Sequence, residues 1–230
     1  MATNIIDSAP SFHTAPRLQE ALTAKLERRL LTWLARRMPA YVNSDHLTLL
    51  GFVAQFLAGA SYALAHWNKY FLLSVNACIA LNWLGDSLDG TLARVRGRLR
   101  PRYGFYVDHI IDSFGALFLM CGLAVSGYLH WQVALAMLTA FLLLSVETYL
   151  ATYTIGTFHL SHGLFGPTEI RILLIIGNFF LFAGFHATLF GRQFLLFDVG
   201  GAIATAGMLG MACWSAIRHT AELYRQERLP

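Results

Sequence analysis

Charge is what this chain has least of. Only 13% of its 230 residues are Asp, Glu, Lys or Arg, while 56% are hydrophobic, and its mean hydropathy is +0.51. An ordinary soluble domain carries about a quarter charged residues, so this composition excludes that class and indicates an integral membrane protein. Cysteine is scarce as well. Cys78, Cys121 and Cys213 stand far apart inside apolar runs, without the spacing of a zinc site or a disulfide framework, and read as packing residues. Residues 1–16 lack a positively charged start followed at once by an apolar core, so a cleaved leader is not expected and the stretch reads as a mobile tail. There is no internal repeat and no low-complexity segment. The net charge of +4 could suggest nucleic acid, but the basic residues gather at the ends of apolar spans, as membrane orientation requires. No nucleic-acid partner is expected.

The apolar runs give the organisation. Leu18, Leu22, Leu26, Leu30, Trp33 and Leu34 recur at helical spacing between Arg17 and Met38, opposite Arg28, Arg29, Arg36 and Arg37, and predict an interfacial amphipathic helix ended by Pro39. Ser44 or Asp45 would cap the next helix. Spans long enough to cross a bilayer follow at 47–66, 70–93, 104–127, 132–156, 170–190 and 196–217. With the N-terminus inside, fifteen Lys and Arg lie on the cytoplasmic side, and only Lys69 and Arg192 lie outside. The expected fold is therefore all-α, with six transmembrane helices and both termini cytoplasmic. Its parts are a tail and amphipathic helix over 1–40, a membrane domain over 41–220 and a cytoplasmic tail over 221–230.

Against this background four carboxylates stand where lipid should be. The chain reads D-S-L-D-G-T-L-A-R from Asp86, then nine residues, then G-F-Y-V-D-H-I-I-D ending at Asp112. Asp86 and Asp89 are three residues apart and Asp108 and Asp112 four, so each pair shares a helix face, with Gly90 and Ala93 or Gly104 and Gly115 on the same stripe. Ionised groups at bilayer depth are expensive and mark function. Four facing carboxylates repel unless hard divalent cations neutralise them, so two Mg2+ or Mn2+ ions are the natural complement. Small residues beside the acids leave room for a ligand backbone, a ligand bridging two such ions is most often a diphosphate, and Arg94 could hold a phosphate oxygen. Both pairs lie about nine or ten residues from the cytoplasmic helix end, which puts the pocket roughly 13–15 Å deep. The alternative is a cation or proton transporter using the same cluster. It does not account for the glycine and alanine offsets or for the five arginines joining the two helices.

These residues resemble the signature of the CDP-alcohol phosphatidyltransferase family, D-x-x-D-G-x-x-A-R, eight or nine residues, then G-x-x-x-D-x-x-x-D. Every signature residue is present. The six-span architecture with an amphipathic N-terminal helix is also similar to the family, which commonly forms homodimers. The resemblance implies a CDP-linked donor and release of CMP. It implies that Asp86, Asp89, Asp108 and Asp112 bind two divalent metals, that Gly90, Ala93 and Gly104 admit the cytidine diphosphate, and that Arg94 grips its nucleotide end. Asp112 would be the candidate base toward the acceptor hydroxyl. The family's P-N-x-L-T segment before the first span is represented by Ser44-Asp45-His46-Leu47-Thr48, which keeps the Leu and Thr and lacks the Pro and Asn.

Two reactions share such a site: CDP-diacylglycerol with a small polar alcohol, or a CDP-linked small alcohol with a lipid hydroxyl. D-H-I-I-D-S around His109 looks like the D-H-x-x-D-S of choline and ethanolamine phosphotransferases, and Thr168-Glu169 is similar to an acidic motif of that branch. His109 is an alternative base to a metal-bound Asp112 or, equally, a histidine that orients one of the aspartates. Glu147 is the other deep acid, and with Glu169 and Arg171 it is the candidate for acceptor recognition. Asn82 reads as an interhelical hydrogen-bond partner, and Gly200, Gly201, Gly207 and Gly210 suggest close helix contact. His159 and His162 form a loop pair that could bind a metal only with further ligands. A bacterial or archaeal cell membrane suits the short form.

Overall fold

Helices form along the apolar runs because a bilayer leaves a spanning segment no other way to satisfy its backbone. The computed structural model describes residues 17–18, 24–155, 158–159, 167–189 and 191–227. The tail over 1–16, His162 and the last three residues lie outside the described residues. Seven helices are described: α1 (Ala24–Arg37), α2 (Ser44–Ala65), α3 (Phe71–Val95), α4 (Pro101–Ser126), α5 (Trp131–Ile155), α6 (Pro167–Phe182) and α7 (Leu196–Gln226). Two short strand pairs accompany them: β1 (Arg17–Leu18) lies parallel to β2 (Phe158–His159), and β3 (Ala187–Leu189) pairs antiparallel with β4 (Arg192–Phe194).

Five helices, α2 to α5 and α7, are long and apolar enough to cross a membrane. The fifth expected span is the exception. Helix α6 has 16 residues, about 24 Å at the helical rise, and ends two residues before Gly184, whose φ of 80° is a left-handed conformation. The remainder of the expected 170–190 run enters the β3–β4 hairpin. Helix α7 runs unbroken through residue 220 to Gln226.

The N-terminal helix also differs from expectation. Residues 17–18 are strand, and the helix begins at Ala24. Leu31 and Ala35 are its buried positions, packed with Leu47, Leu88 and Leu92, whereas Leu30 and Trp33 are 43% and 52% exposed. Helix α1 thus seats Leu31 and Ala35 on α2 and α3, with Leu34 packed beside them, and turns Leu30 and Trp33 away from the bundle. Helix α2 is capped by Asn43, one residue earlier than expected: Asn43 is extended (φ −105°, ψ 165°), and its N–H donates to His46 Nδ1 at 3.2 Å.

Small residues bring α2 against both α3 and α4. A Cβ on Gly85 would lie 2.5 Å from the Leu47 carbonyl oxygen and 2.6 Å from the Gly51 nitrogen, and one on Gly122 would run into the Gly59 backbone. Such contacts let backbones approach and gain dispersion where lipid supplies no hydrophobic drive. Toward the C-terminal ends of α2 and α4, Tyr62, Leu72, Val75, Leu119 and Leu123 form an apolar core with Leu181 of α6. There Tyr62 Oη donates to Asn178 Oδ1, and Asn178 Nδ2 donates to Asn76 Oδ1, each at 2.8 Å, tying α2, α6 and α3 together. Of the four glycines expected at close helix contacts, Gly201 packs on Val133 and Met137 of α5, while Gly200, Gly207 and Gly210 meet nothing within the described chain.

The α3–α4 connection is anchored to the turn between α1 and α2. Arg96 donates to the carbonyls of Val42, Met38 (2.9 Å) and Pro39 (2.8 Å). Arg100 pairs with Asp45.

Candidate active site

Helices α3 and α4 run in opposite directions, so their acids meet in two rungs. Along α2, Thr48 lies against Asp89 and Gly51 against Asp86 of α3, while Gln55, one turn further on, lies against Gly115 of α4, which stands one turn beyond Asp112. The deep rung is therefore Asp86 with Asp112, and the shallow rung is Asp89 with Asp108. Beneath them Asn82 Nδ2 donates to the Gly51 carbonyl at 3.0 Å and to Gln55 Oε1 at 3.1 Å, and the Gln55 amide lies against Gly115. That network closes the deep end. Asn82 is the interhelical partner its position predicts, whereas Gly115, expected to share the open face, is covered.

The opposite end is open. A Cβ built on Gly90 or on Gly104 would meet nothing within 4 Å, in contrast to the packed glycines of α2. Ala93 is half-buried and Arg94 exposed at the same end of α3. The candidate nucleotide residues thus border free space beyond the shallow rung.

Asp86 and Asp89 are turned to donors. Asp86 Oδ2 accepts from Arg171 Nη2 at 2.6 Å, and Asp89 Oδ2 accepts from Thr48 Oγ1 at 2.5 Å. As the side chains stand, no three acidic, histidine or cysteine groups among the described residues converge closely enough to hold an ion. The physical reason is direct: like charges separate and seek donors unless a counterion sits between them. The donor set remains one that could hold hard divalent cations, with carboxylates from two helices around one opening.

His109 flanks the acid stripe on the side facing α5. Its Nδ1 lies 2.5 Å from the Phe105 carbonyl, which can only accept, so Nδ1 is the donor. The ring packs at 4.2 Å on Phe105 and edge-on at 4.7 Å to Tyr149.

The candidate acceptor residues divide. Arg171, in the second turn of α6, reaches the deep rung through Asp86, and Glu169 in the first turn is buried at 8% exposure. Glu147 is elsewhere: its Oε1 lies 2.6 Å from His219 Nδ1 on α7, both side chains being largely buried. Periodicity along one helix could not have found His219 or Tyr149, because each matters through a contact with a distant stretch of chain. Thr48 carried a signal, since it stands in the family-like segment before the first span.

The family model described as CDP-alcohol phosphatidyltransferase matches residues 41–213. The chain is similar to the archaetidylinositol phosphate synthase of Pyrococcus horikoshii, at 27% identity over 139 residues that cover 60% of this chain and 70% of that protein. It is also similar in fold to a phosphatidylinositol phosphate synthase of Mycobacterium tuberculosis solved with CDP-DAG bound, at a TM-score of 0.54 and 22% identity, covering 85% of this chain and 92% of that one.

Proposed function

The chain belongs to the CDP-alcohol phosphatidyltransferase family, and from that premise we propose that it transfers a substituted phosphate from a CDP-linked donor to an alcohol hydroxyl, releasing CMP, with two divalent cations, Mg2+ or Mn2+, on Asp86, Asp89, Asp108 and Asp112. The observation that carries this reading is the pair of carboxylate rungs opening beside the free space at Gly90 and Gly104. Family membership does not favour the transporter alternative.

The donor is a CDP-linked lipid of the CDP-diacylglycerol kind, and the acceptor is a small polar alcohol that carries phosphate. Both relatives support this choice by name, and one of them holds CDP-DAG. The short likeness around His109 points to a CDP-amino alcohol instead and rests on fewer residues. Gly90, Ala93 and Gly104 admit the cytidine diphosphate, and Arg94 grips it at the rim. Arg171, with Glu169 beside it on α6, faces the acceptor. Glu147 contributes through its pairing with His219 and its helix α5. Asp112 takes the proton from the acceptor hydroxyl, whose oxygen attacks the phosphorus bonded to the donated group. The bond from that phosphorus to CMP breaks, and its electron pair leaves with CMP. Cations at the rungs would withdraw charge from the diphosphate as it departs.

Around this chemistry the chain crosses the membrane six times, the 16-residue α6 making the fifth crossing. Both termini and the site face the cytoplasm of a bacterial or archaeal cell. Arg28, Arg29, Arg36 and Arg37 on α1 meet membrane lipids. A homodimer using the open glycine face of α7 fits the family habit.

The test uses membranes containing the protein, labelled CDP-diacylglycerol or CDP-ethanolamine, and inositol phosphate, glycerol phosphate or diacylglycerol as acceptor. CMP and a new lipid are expected from CDP-diacylglycerol with a phosphorylated alcohol, dependent on Mg2+ or Mn2+. A product formed only from CDP-ethanolamine would sink the donor choice, and ion movement without nucleotide binding would sink the enzyme reading.

His109 gives a second expectation. Because its ring is packed toward α5, we assign it to shaping the flank of Asp112. His109→Ala should bind divalent metal as before and lose less than about tenfold in CMP release, whereas removal of a general base costs roughly a hundredfold or more. A loss of that larger size would make His109 the base.

A further inference from the structure

Outside the acid rungs, one carboxylate gathers hydrogen bonds from two other helices. Glu27 lies in the first turn of α1. Its Oε1 accepts from Trp83 Nε1 at 3.0 Å, from Ser87 Oγ at 3.2 Å and from Thr168 Oγ1 at 3.0 Å. Oε2 is buried and has no hydrogen-bond partner among the described residues. Three elements therefore converge on one oxygen: α1 supplies the acceptor, α3 two donors and the start of α6 the third.

The identity of the donors gives the convergence its meaning. Ser87 follows Asp86 on α3, and Thr168 stands three residues before Arg171 on one face of α6. Arg171 in turn donates to Asp86 Oδ2 at 2.6 Å. A ring is thereby closed from Glu27 through Ser87 and its neighbour Asp86 to Arg171, and back through Thr168. The remaining contact of α1 with the bundle is apolar, through Leu31 and Ala35 on Leu47, Leu88 and Leu92. Apolar packing is non-directional and does not by itself fix how far the start of α6 stands from α3. Hydrogen bonds to a shared oxygen are directional, and they do.

We propose that Glu27 is a positioning residue for the reaction. By holding Thr168 and Ser87 on one oxygen it sets the separation of α6 from α3 at which Arg171 reaches Asp86, so that the N-terminal helix is part of the site's framework. The consequence for turnover rests on the proposed function, in which Arg171 faces the acceptor. The consequence for geometry does not.

Displacing a binding group by about an ångström can lower turnover roughly a hundredfold. Glu27→Ala should accordingly lose about ten- to a hundredfold in kcat/KM for CMP release per folded molecule. Glu27→Gln keeps a side-chain oxygen that can accept from the same three donors, and should restore kcat/KM to within about threefold of wild type. Thr168→Val removes one donor and leaves α1 attached to α3; it should reproduce most of the loss, and it carries the test if Glu27→Ala does not fold. In an Arg171→Ala background, Glu27→Ala should add little, because it acts through that residue. Wild-type kinetics in both Glu27→Ala and Thr168→Val, equal damage in Glu27→Gln and Glu27→Ala, or losses that add to those of Arg171→Ala would overturn the proposal. Hydrogen exchange of the amides at 171–174, which bond back to the first turn of α6, provides a reading free of catalysis. It should speed up at least about tenfold in Glu27→Ala as the first turn of α6 loosens, and an unchanged rate would overturn the proposal whatever the reaction. A wild-type protein that releases no CMP would defeat the proposed function and leave that exchange result standing.

Discussion

Asp89→Asn should lower CMP release by roughly a hundred- to a thousandfold, the range seen when one preorganised group is removed from charge developing in a transition state. The substitution is nearly isosteric. Asparagine keeps an oxygen for the hydroxyl of Thr48, which reaches Asp89 at 2.5 Å, so the contact between α2 and α3 survives and the folded yield should stay near wild type. What disappears is one negative charge from the shallow rung, opposite Asp108. Divalent cation affinity, read by titrating Mn2+ against the spin-resonance signal of the free ion, should weaken in parallel. Activity within tenfold of wild type at saturating Mg2+ would mean that the rungs do not hold the metal, and the two-cation reading would fall with it.

The largest effect on stability is expected at Gly122. Its Cβ would run into the backbone of Gly59, and a Cβ on Gly59 would run into the carbonyl of Phe118, so α2 and α4 touch backbone to backbone. Alanine is the better helix former by about 1 kcal/mol, and in open space Gly122→Ala would stabilise the chain. Here there is no flexible side chain to yield, and overpacking costs about 1–3 kcal/mol, so the thermal midpoint in detergent should fall. Gly122→Leu requires the two helices to part and should give no monodisperse folded protein. A midpoint for Gly122→Ala equal to or above that of wild type would show that α2 and α4 are not in contact there.

How legible the molecule was depends on the range over which each feature is specified. The acid pairs could be read at once, because a helix face is set by residues three and four apart, and the structure keeps those faces opposed. Helices α2 to α5 and α7 could be read from hydropathy to within a few residues at nearly every end. The fifth span could not, since hydropathy weighs composition and is blind to a backbone reversal: Phe185 and Leu189 count as apolar whether they continue α6 or lie beyond Gly184 at φ 80°. For α1, periodicity indicated an amphipathic helix, and it could not say that Leu31 and Ala35 turn inward, because that depends on the neighbours they meet on α2 and α3. Arg171 with Asp86, Thr168 with Glu27, and His219 with Glu147 are pairings across 85, 141 and 72 residues. No local pattern encodes them.

The arginines between α3 and α4 bear on a mechanical difficulty that any site of this kind faces. Four like charges cannot serve as their own scaffold, because every one of them pushes the others away. Arg96 is clasped by the carbonyls of Met38, Pro39 and Val42, and Arg100 by Asp45, so the end of one acid-bearing helix and the beginning of the next are measured from a single fixed corner outside the cluster. The level of each rung is thus set from the rim, as the height of a hanging frame is set by its hook. The carboxylates can then be unfavourable neighbours without drifting out of register, which leaves their mutual repulsion available to be relieved by what binds between them.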